Sequence, residues 1–298
     1  MFVICCKLMD FMVLFKRFKN EAITMNDVKV VIVGNIAFDV NTFQNRNEGK
    51  DKIVVNKGGA GYYSLIPSSL FTKTGIVARV GNDFDISTLK SNNIDLIGLK
   101  VVESSPTTKF HHTYMTDDEQ TRTFKPEVYE ATLITLEDFP EEYYDAHYIH
   151  IATNFPYMQK QFIDMIRKRS KTIISIDTHE AYMEQESDFI KEIFDSVDIA
   201  FIDKEYTKLL DCKAPVKIIK MGKKGCKYEY RDKEFIAETQ KKKVIDKTGA
   251  GDVVTGVFLA MMAKIKNPEQ SLKTAVNIAT KSIGNYGVDF LVNREFER

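Results

Sequence analysis

Val28-Lys29-Val30-Val31-Ile32-Val33-Gly34 is a β-branched run closed by glycine, and it predicts a buried parallel strand. Shorter apolar runs recur at 74–80, 148–152, 172–176, 199–202 and 216–220. Between several of them, apolar residues fall three and four apart, at 158–169, 188–194 and 205–210, as on one face of a helix. Alternating apolar strands and amphipathic helices predict an α/β fold, a central mostly parallel sheet with helices on both faces. Two stretches break the rhythm. Residues 40–56 hold the polar run Asn45 to Lys50 between strand-like pieces, and residues 107–124 hold Thr116-Asp117-Asp118-Glu119 between alternating runs. Both predict hairpins, polar at the turn, that form a small β lid. With no internal repeat and no Pro/Gly-rich linker, the expected organisation is one domain over 26–298 that includes these two lid segments.

The first 25 residues stand apart. Met1 to Phe18 is apolar but broken by Lys7, Asp10, Lys16 and Arg17, too short and interrupted to span a bilayer and a poor signal peptide. The expectation is an N-terminal appendage outside the working domain, or a short amphipathic helix docked on it. Lys plus Arg and Asp plus Glu both number 42, so a net charge of zero gives no reason to expect a nucleic-acid or membrane partner. The four cysteines, Cys5, Cys6, Cys212 and Cys226, have no metal-binding spacing and suggest free thiols in a reducing cytoplasm.

The chemistry concentrates in Asp246-Lys247-Thr248-Gly249-Ala250-Gly251-Asp252, which precedes a helical pattern over 253–264. Gly249, Ala250 and Gly251 leave backbone N–H groups uncovered at a helix N-terminus, where partial positive charge favours an anion. Asp252, in the first turn, is positioned to accept a proton from an attacking hydroxyl. The same run also reads as a Gly-rich turn with Asp at a helix start. Asn56-Lys57-Gly58-Gly59-Ala60-Gly61 opens a second helix, expected over 62–71. Gly34-Asn35-Ile36-Ala37-Phe38-Asp39 lies at the carboxyl end of the first strand, the edge where open α/β sheets bind ligands. Lys220-Met221-Gly222-Lys223-Lys224-Gly225 follows a strand and reads equally as a tight turn. There is no GxxxxGK[ST] loop and no GxGxxG after the first strand, which argues against P-loop and Rossmann chemistry.

In this order, the four motifs resemble the phosphofructokinase B/ribokinase family of carbohydrate and nucleoside kinases, from Val28 to about Leu291. The Gly58-Gly59 pair and the Asp-x-Thr-Gly-Ala-Gly-Asp run at 246–252 carry the likeness. The resemblance implies a ribokinase-like fold and transfer of the γ-phosphoryl of ATP, with Mg2+, to a hydroxyl of a small sugar, polyol such as an inositol, or nucleoside. It implies Asp252 as the base and Gly249, Ala250 and Gly251 as the anion hole. Asn35, Asp39, Gly58 and Gly59 match contacts to acceptor hydroxyls. Lys220, Gly222 and Gly225 match a nucleotide-side loop, Asn277 a position near the adenine, and Asp246 the start of a loop that often holds potassium. By analogy, two lids pair in a homodimer. Lys247 departs from the residues usual there. Asp203 and Glu205 stand at altered spacing where the family has Asn-x-x-Glu, which puts the magnesium shell in question. Tyr63 and Ala37 replace asparagines of ribokinase, and the segments around Asp39 and Gly58 look closer to inositol and nucleoside kinases. A ribokinase-fold regulator that binds ligand without turnover is the alternative, and intact Asp252 and Gly249–Gly251 argue against it.

Overall fold

The computed structural model describes residues 27–44, 51–90, 93–115 and 122–292. The expected appendage at 1–25 and the turns at 45–50 and 116–119 lie outside them. Strands β1 (Val30–Val33), β2 (Ala37–Gln44) and β3 (Lys52–Gly58) lead into helix α1 (Ala60–Ser69). Then follow β4 (Thr74–Gly81), β5 (Ile94–Val102), β6 (Lys109–Met115), β7 (Arg122–Glu127), β8 (Tyr148–Ile151), α2 (Pro156–Arg169) and β9 (Ile173–Ile176). Helices α3 (Glu180–Gln185) and α4 (Ser187–Asp195), strands β10 (Ile199–Asp203), β11 (Val216–Lys220), β12 (Cys226–Tyr230) and β13 (Lys233–Ala237), and helices α5 (Ala250–Ile265) and α6 (Pro268–Ser282) follow in turn.

Nine strands form one sheet in the order β13-β12-β11-β10-β9-β8-β1-β4-β5. From β11 to β5 every pairing is parallel, and at the other edge β12 runs antiparallel to both β11 and β13. The pleat sends alternate residues to opposite faces. Val30 and Ile32 enter one core with Tyr62, Leu65, Val257 and Leu272 from α1, α5 and α6. Val31 and Val33 enter the other with Phe162, Ile166, Ile190 and Phe194 from α2 and α4. Burial on both faces explains why β1 reads as an unbroken apolar run rather than an alternating one.

Helix boundaries follow local chemistry. Pro156 occupies the first turn of α2, and Arg167, Lys168 and Arg169 close it where the helix dipole favours cations. At α6, Asn267 caps the Gln270 N–H and Pro268 sits in the first turn. The helix therefore starts at Pro268. Helix α1 spans 60–69 rather than the expected 62–71.

The two interrupting stretches pair with each other. Strands β3-β2-β6-β7 form a separate four-stranded sheet, antiparallel except for the parallel β2–β6 pair at its centre. Among the described residues, no helix is long and apolar enough to cross a membrane.

Helices α1 and α5 approach each other closely, because a Cβ on Gly256 would lie 2.0 Å from the Ser64 carbonyl oxygen. We expect Gly256→Ala to destabilise the chain by about 1–3 kcal/mol, since the backbones must separate. Gly222→Ala, whose methyl meets nothing within 4 Å but sits at φ 55°, should cost roughly 1–2 kcal/mol from backbone conformation alone. Denaturant unfolding of the two variants checks both, and only the first should also disturb packing, visible as a changed near-UV dichroism.

Candidate active site

Parallel strands deliver their carboxyl ends to one edge, and the polar residues gather there. Asn35 follows β1, Asn154 follows β8, Asp177 and Thr178 follow β9, Asp203 ends β10 and Lys220 ends β11. Helix α5 starts at the same edge. Gly249 is its N-cap at φ 73°, and a Cβ there would lie 2.2 Å from the Tyr63 ring. Only glycine satisfies both constraints. The first full-turn bond of α5 runs from the Val253 N–H to the Gly249 carbonyl at 2.9 Å, and the Ala250 N–H turns back to Lys247. The Gly251 and Asp252 amides thus precede the helical ladder, among the donors that a helix start leaves without an intrahelical acceptor.

Lys220 is the electrostatic centre. Its Nζ lies 2.8 and 3.0 Å from the two oxygens of Asp177 and 3.5 Å from Asp203. Its side chain is only 13% exposed. Burial opposes the ammonium, but Asp177 and Asp203 outweigh it and hold its pKa above the ordinary lysine value. A Cβ on Gly251 would lie 3.4 Å from Nζ, so the ammonium sits beneath the mouth of α5. Asp252 keeps an opening to solvent although protein encloses it on most sides. That enclosure, then Asp177, raise its pKa to about 8, while Lys220 pulls the other way.

A second set of polar groups lies nearer the lid. Asp39, on β2, is 1% exposed, and a Cβ on Gly58 would meet its Cγ at 2.4 Å. Gly59 is the N-cap of α1. His112 Nε2 is 3.9 Å from Asp39. Asn35 Oδ1, Asn154 Nδ2 and Thr178 Oγ1 are buried without hydrogen-bond partners. Buried polar atoms are seldom left so, and a cluster of them at a strand edge fits a polar ligand. Phe124 of the lid faces His179 with ring centroids 5.1 Å apart, and His112 faces Phe124 at 5.3 Å. His111 instead pairs with Glu127 at 2.7 Å, both partly exposed.

Asp246 serves a tie between the two sheets. Its Oδ1 accepts from the Thr248 N–H at 2.9 Å and the Thr248 hydroxyl at 2.6 Å, and its Oδ2 accepts from Asn41 Nδ2 at 2.8 Å. Asn41 Nδ2 also reaches Thr248 Oγ1 at 3.2 Å, and the Tyr114 hydroxyl lies 2.5 Å from that same oxygen. Because the Thr248 hydrogen goes to Asp246, the Tyr114 hydroxyl is the donor to Thr248. Burial raises the Asp246 pKa, while the bonds from Thr248 and Asn41 oppose that rise.

The structure therefore brings Gly249, Ala250, Gly251 and Asp252 together with Lys220, and Asp39 together with Gly58. Gly222 and Gly225 bound the tight turn between β11 and β12, held by the Met221 N–H to the Gly225 carbonyl at 2.8 Å. Asn277 is exposed on α6, which packs against β12 and β13. Motif reading missed Asn41, Tyr114, Asn154 and Thr178, and it gave Asp177 no role. Asn41 had one available signal: two residues beyond Asp39 in a strand, it must share Asp39's face. The pairing of Asp177 with Lys220 had none, because it depends on strand order.

The sequence pattern described as pfkB family carbohydrate kinase matches residues 27–294. A cytidine kinase of Thermococcus kodakarensis is 24% identical over 277 residues, spanning 87% of this chain and 97% of that one. The Methanocaldococcus jannaschii nucleoside kinase, an archaeal member of the ribokinase family, superposes with a TM-score of 0.71 at 19% identity, covering 89% of this chain and 94% of that one. A candidate ribokinase II from E. coli, solved with ATP and Mg2+, gives a TM-score of 0.75 at 18% identity, with 91% and 97% covered. These likenesses establish the ribokinase-like fold.

The raised Asp252 pKa has a consequence for stability. The folded chain retains a proton there that the unfolded chain releases near pH 4, so ionisation between about pH 4 and 8 disfavours the fold. Asp252→Asn removes that titration. We expect the variant to match wild type near pH 4 and to gain stability over it as pH rises to 8. The gain should reach up to a few kcal/mol, because each tenfold difference in proton affinity between folded and unfolded chains is worth about 1.4 kcal/mol. Thermal melts across that range check the sign.

Proposed function

The chain belongs to the pfkB family of carbohydrate kinases, phosphotransferases whose acceptor is an alcohol group, and from that premise we propose that it transfers the γ-phosphoryl of ATP to a hydroxyl of a nucleoside. The phosphoryl chemistry rests on one observation, the largely enclosed Asp252 at the mouth of α5 beside the buried Lys220 ammonium. Asp252 takes the proton of the acceptor hydroxyl as its oxygen attacks the γ-phosphorus. The amides of Gly249 and Gly251, and that of Ala250 once its 3.2 Å bond to the Lys247 carbonyl gives way, are assigned to the charge that accumulates on the transferring group. Lys220, beneath Gly251, supplies positive charge at the same place. Asp252 is half-protonated near pH 8 in the free protein, so it is poised between accepting and releasing a proton.

On the acceptor side, Asn35, Asp39, Gly58 and Gly59 are assigned to the sugar hydroxyls. A nucleoside is preferred over an inositol for two reasons. The rings of His112, Phe124 and His179 offer flat surfaces beside Asp39 that suit a base. The Thermococcus relative is named a cytidine kinase. The lid over this edge is assigned the exclusion of water. Gly222, Gly225 and Asn277 are assigned to the nucleotide side. The homodimer through the lid is likewise a proposal, for which Ile53 and Val55, 63% and 60% exposed on β3, supply apolar surface.

The residues at the strand ends fit Mg2+ carried by ATP. Asp203, with its side chain 44% exposed, can meet such an ion, whereas both oxygens of Asp177 are engaged by Lys220. Mg2+ supplies charge neutralisation between the phosphates. Potassium fits Asp246 less well. Three hydrogen bonds from Asn41 and Thr248 already converge on that carboxylate and occupy lone pairs a cation would use.

A screen of ADP release over nucleosides, inositols and sugars tests the reading, with cytidine among the expected acceptors. Asp252→Asn should bind ATP and lower turnover by about 10²–10⁴-fold. In wild type, kcat/KM should rise with pH toward an apparent pKa near 8, the Asp252 value, and that limb should vanish in the variant. Near-normal turnover of Asp252→Asn would remove the base assignment.

A further inference from the structure

Strands β2 and β6 lie side by side and parallel at the centre of the lid, in a register that pairs Asn41 with His112 and Phe43 with Tyr114. On β2, Asp39, Asn41 and Phe43 project from one face, since residues two apart in a strand share a side. On β6, His112 and Tyr114 share one. The first residue of each set lies in the acceptor region, where His112 Nε2 is 3.9 Å from Asp39. The next residue reaches into the main body, where Asn41 and Tyr114 bond Asp246 and Thr248. Phe43 stacks on Tyr114 with ring centroids 5.3 Å apart.

Thr248 directly precedes Gly249, the N-cap that sets where the amides of α5 point. We propose that Asn41 and Tyr114 form a latch through which the lid holds the Asp246–Thr248 loop, and with it the anion hole, in place for phosphoryl transfer. The inference rests on the kinase reading above, and it makes Asn41 and Tyr114 positioning residues that need not touch substrate.

Three features favour a latch over a static strut. The contacts join segments 134 to 207 residues apart, and lid and body belong to separate sheets, so lifting the lid breaks these contacts together. When they break, the Thr248 N–H and hydroxyl still bond Asp246, so the loop keeps its turn and loses only its external anchors. In the seated state most of the network is shielded from water: Asn41 is 0%, Asp246 4% and Tyr114 7% exposed, with Thr248 partly buried. In low dielectric surroundings such bonds hold a geometry firmly. Asn41 Oδ1 is buried with no partner, so the amide is oriented by its two donated bonds alone. Those bonds are the ones an opening motion would exchange for water.

Tyr114→Phe and Asn41→Ala test the latch through measurements that a strut would leave alone. Each variant should lower kcat for acceptor phosphorylation by about 10- to 100-fold, the scale of a misplaced catalytic group. The KM for ATP should stay within about twofold, because nucleotide binding precedes the step that is lost. The ratio of ADP released to phosphorylated acceptor formed should rise above the wild-type value, as water replaces the acceptor at the γ-phosphorus and inorganic phosphate leaves. Hydrogen exchange provides a readout without turnover: amides of 248–252 should exchange faster in both variants, while those of β1 keep the wild-type rate. Variants that lose thermal stability yet keep kcat, the product ratio and protection at 248–252 overturn the latch. A wild-type chain that phosphorylates no acceptor overturns the kinase reading, and exchange at 248–252 then still decides whether the lid governs the loop.

Discussion

One ammonium group balances the carboxyl edge of the sheet. Lys220 lies within a few ångströms of Asp177 and Asp203, at the foot of the helix that begins with Asp252. Without it, carboxylates from β9, β10 and α5 would face one another in a largely enclosed space, where unpaired charge is costly. Such a pair is weak evidence for stability, since desolvation offsets much of its attraction. Its value here is positional: it brings the ends of two strands under the mouth of α5. It also sets the protonation of Asp252, whose pKa reflects enclosure and neighbouring carboxylates against the pull of this single cation.

The fold was legible because the strands are covered on both faces. Six apolar runs correspond to β1, β4, β8, β9, β10 and β11, each within a residue or two of its observed span. Strands at edges were harder. β12, Cys-Lys-Tyr-Glu-Tyr, alternates buried and half-buried positions, and β13 has only Ala237 buried, so neither forms an apolar run. β5 has Ile97 and Val101 exposed, and its pattern is diluted in the same way. The two lid hairpins were found through their polar turns, but their mutual pairing through a parallel β2–β6 contact depends on register that no local signal encodes.

The candidate site was legible where chemistry is contiguous in sequence. The run from Asp246 to Asp252 places amides and a carboxylate together by chain geometry alone, and Gly58 lies against Asp39. What remained hidden depends on tertiary contact. Asp177 meets Lys220 only because β9, β10 and β11 are neighbours in that order. Asn41 meets Asp246 only because the lid folds back on the body. Asn154 and Thr178 became noticeable as buried groups without partners, a property no residue displays in a one-dimensional pattern.

The lid is drawn from two excursions of the chain, between β1 and α1 and between β5 and β8, each leaving and rejoining the main sheet at its ends. Neither contributes a strand to the nine-stranded sheet. The four-stranded sheet and the nine-stranded sheet are therefore encoded in separable stretches of gene. Changing the exposed residues of the excursions, such as Ile53 and Val55, leaves the two hydrophobic cores untouched, so one scaffold can carry different lids. The junction residues that link the two parts are the natural limit on that freedom.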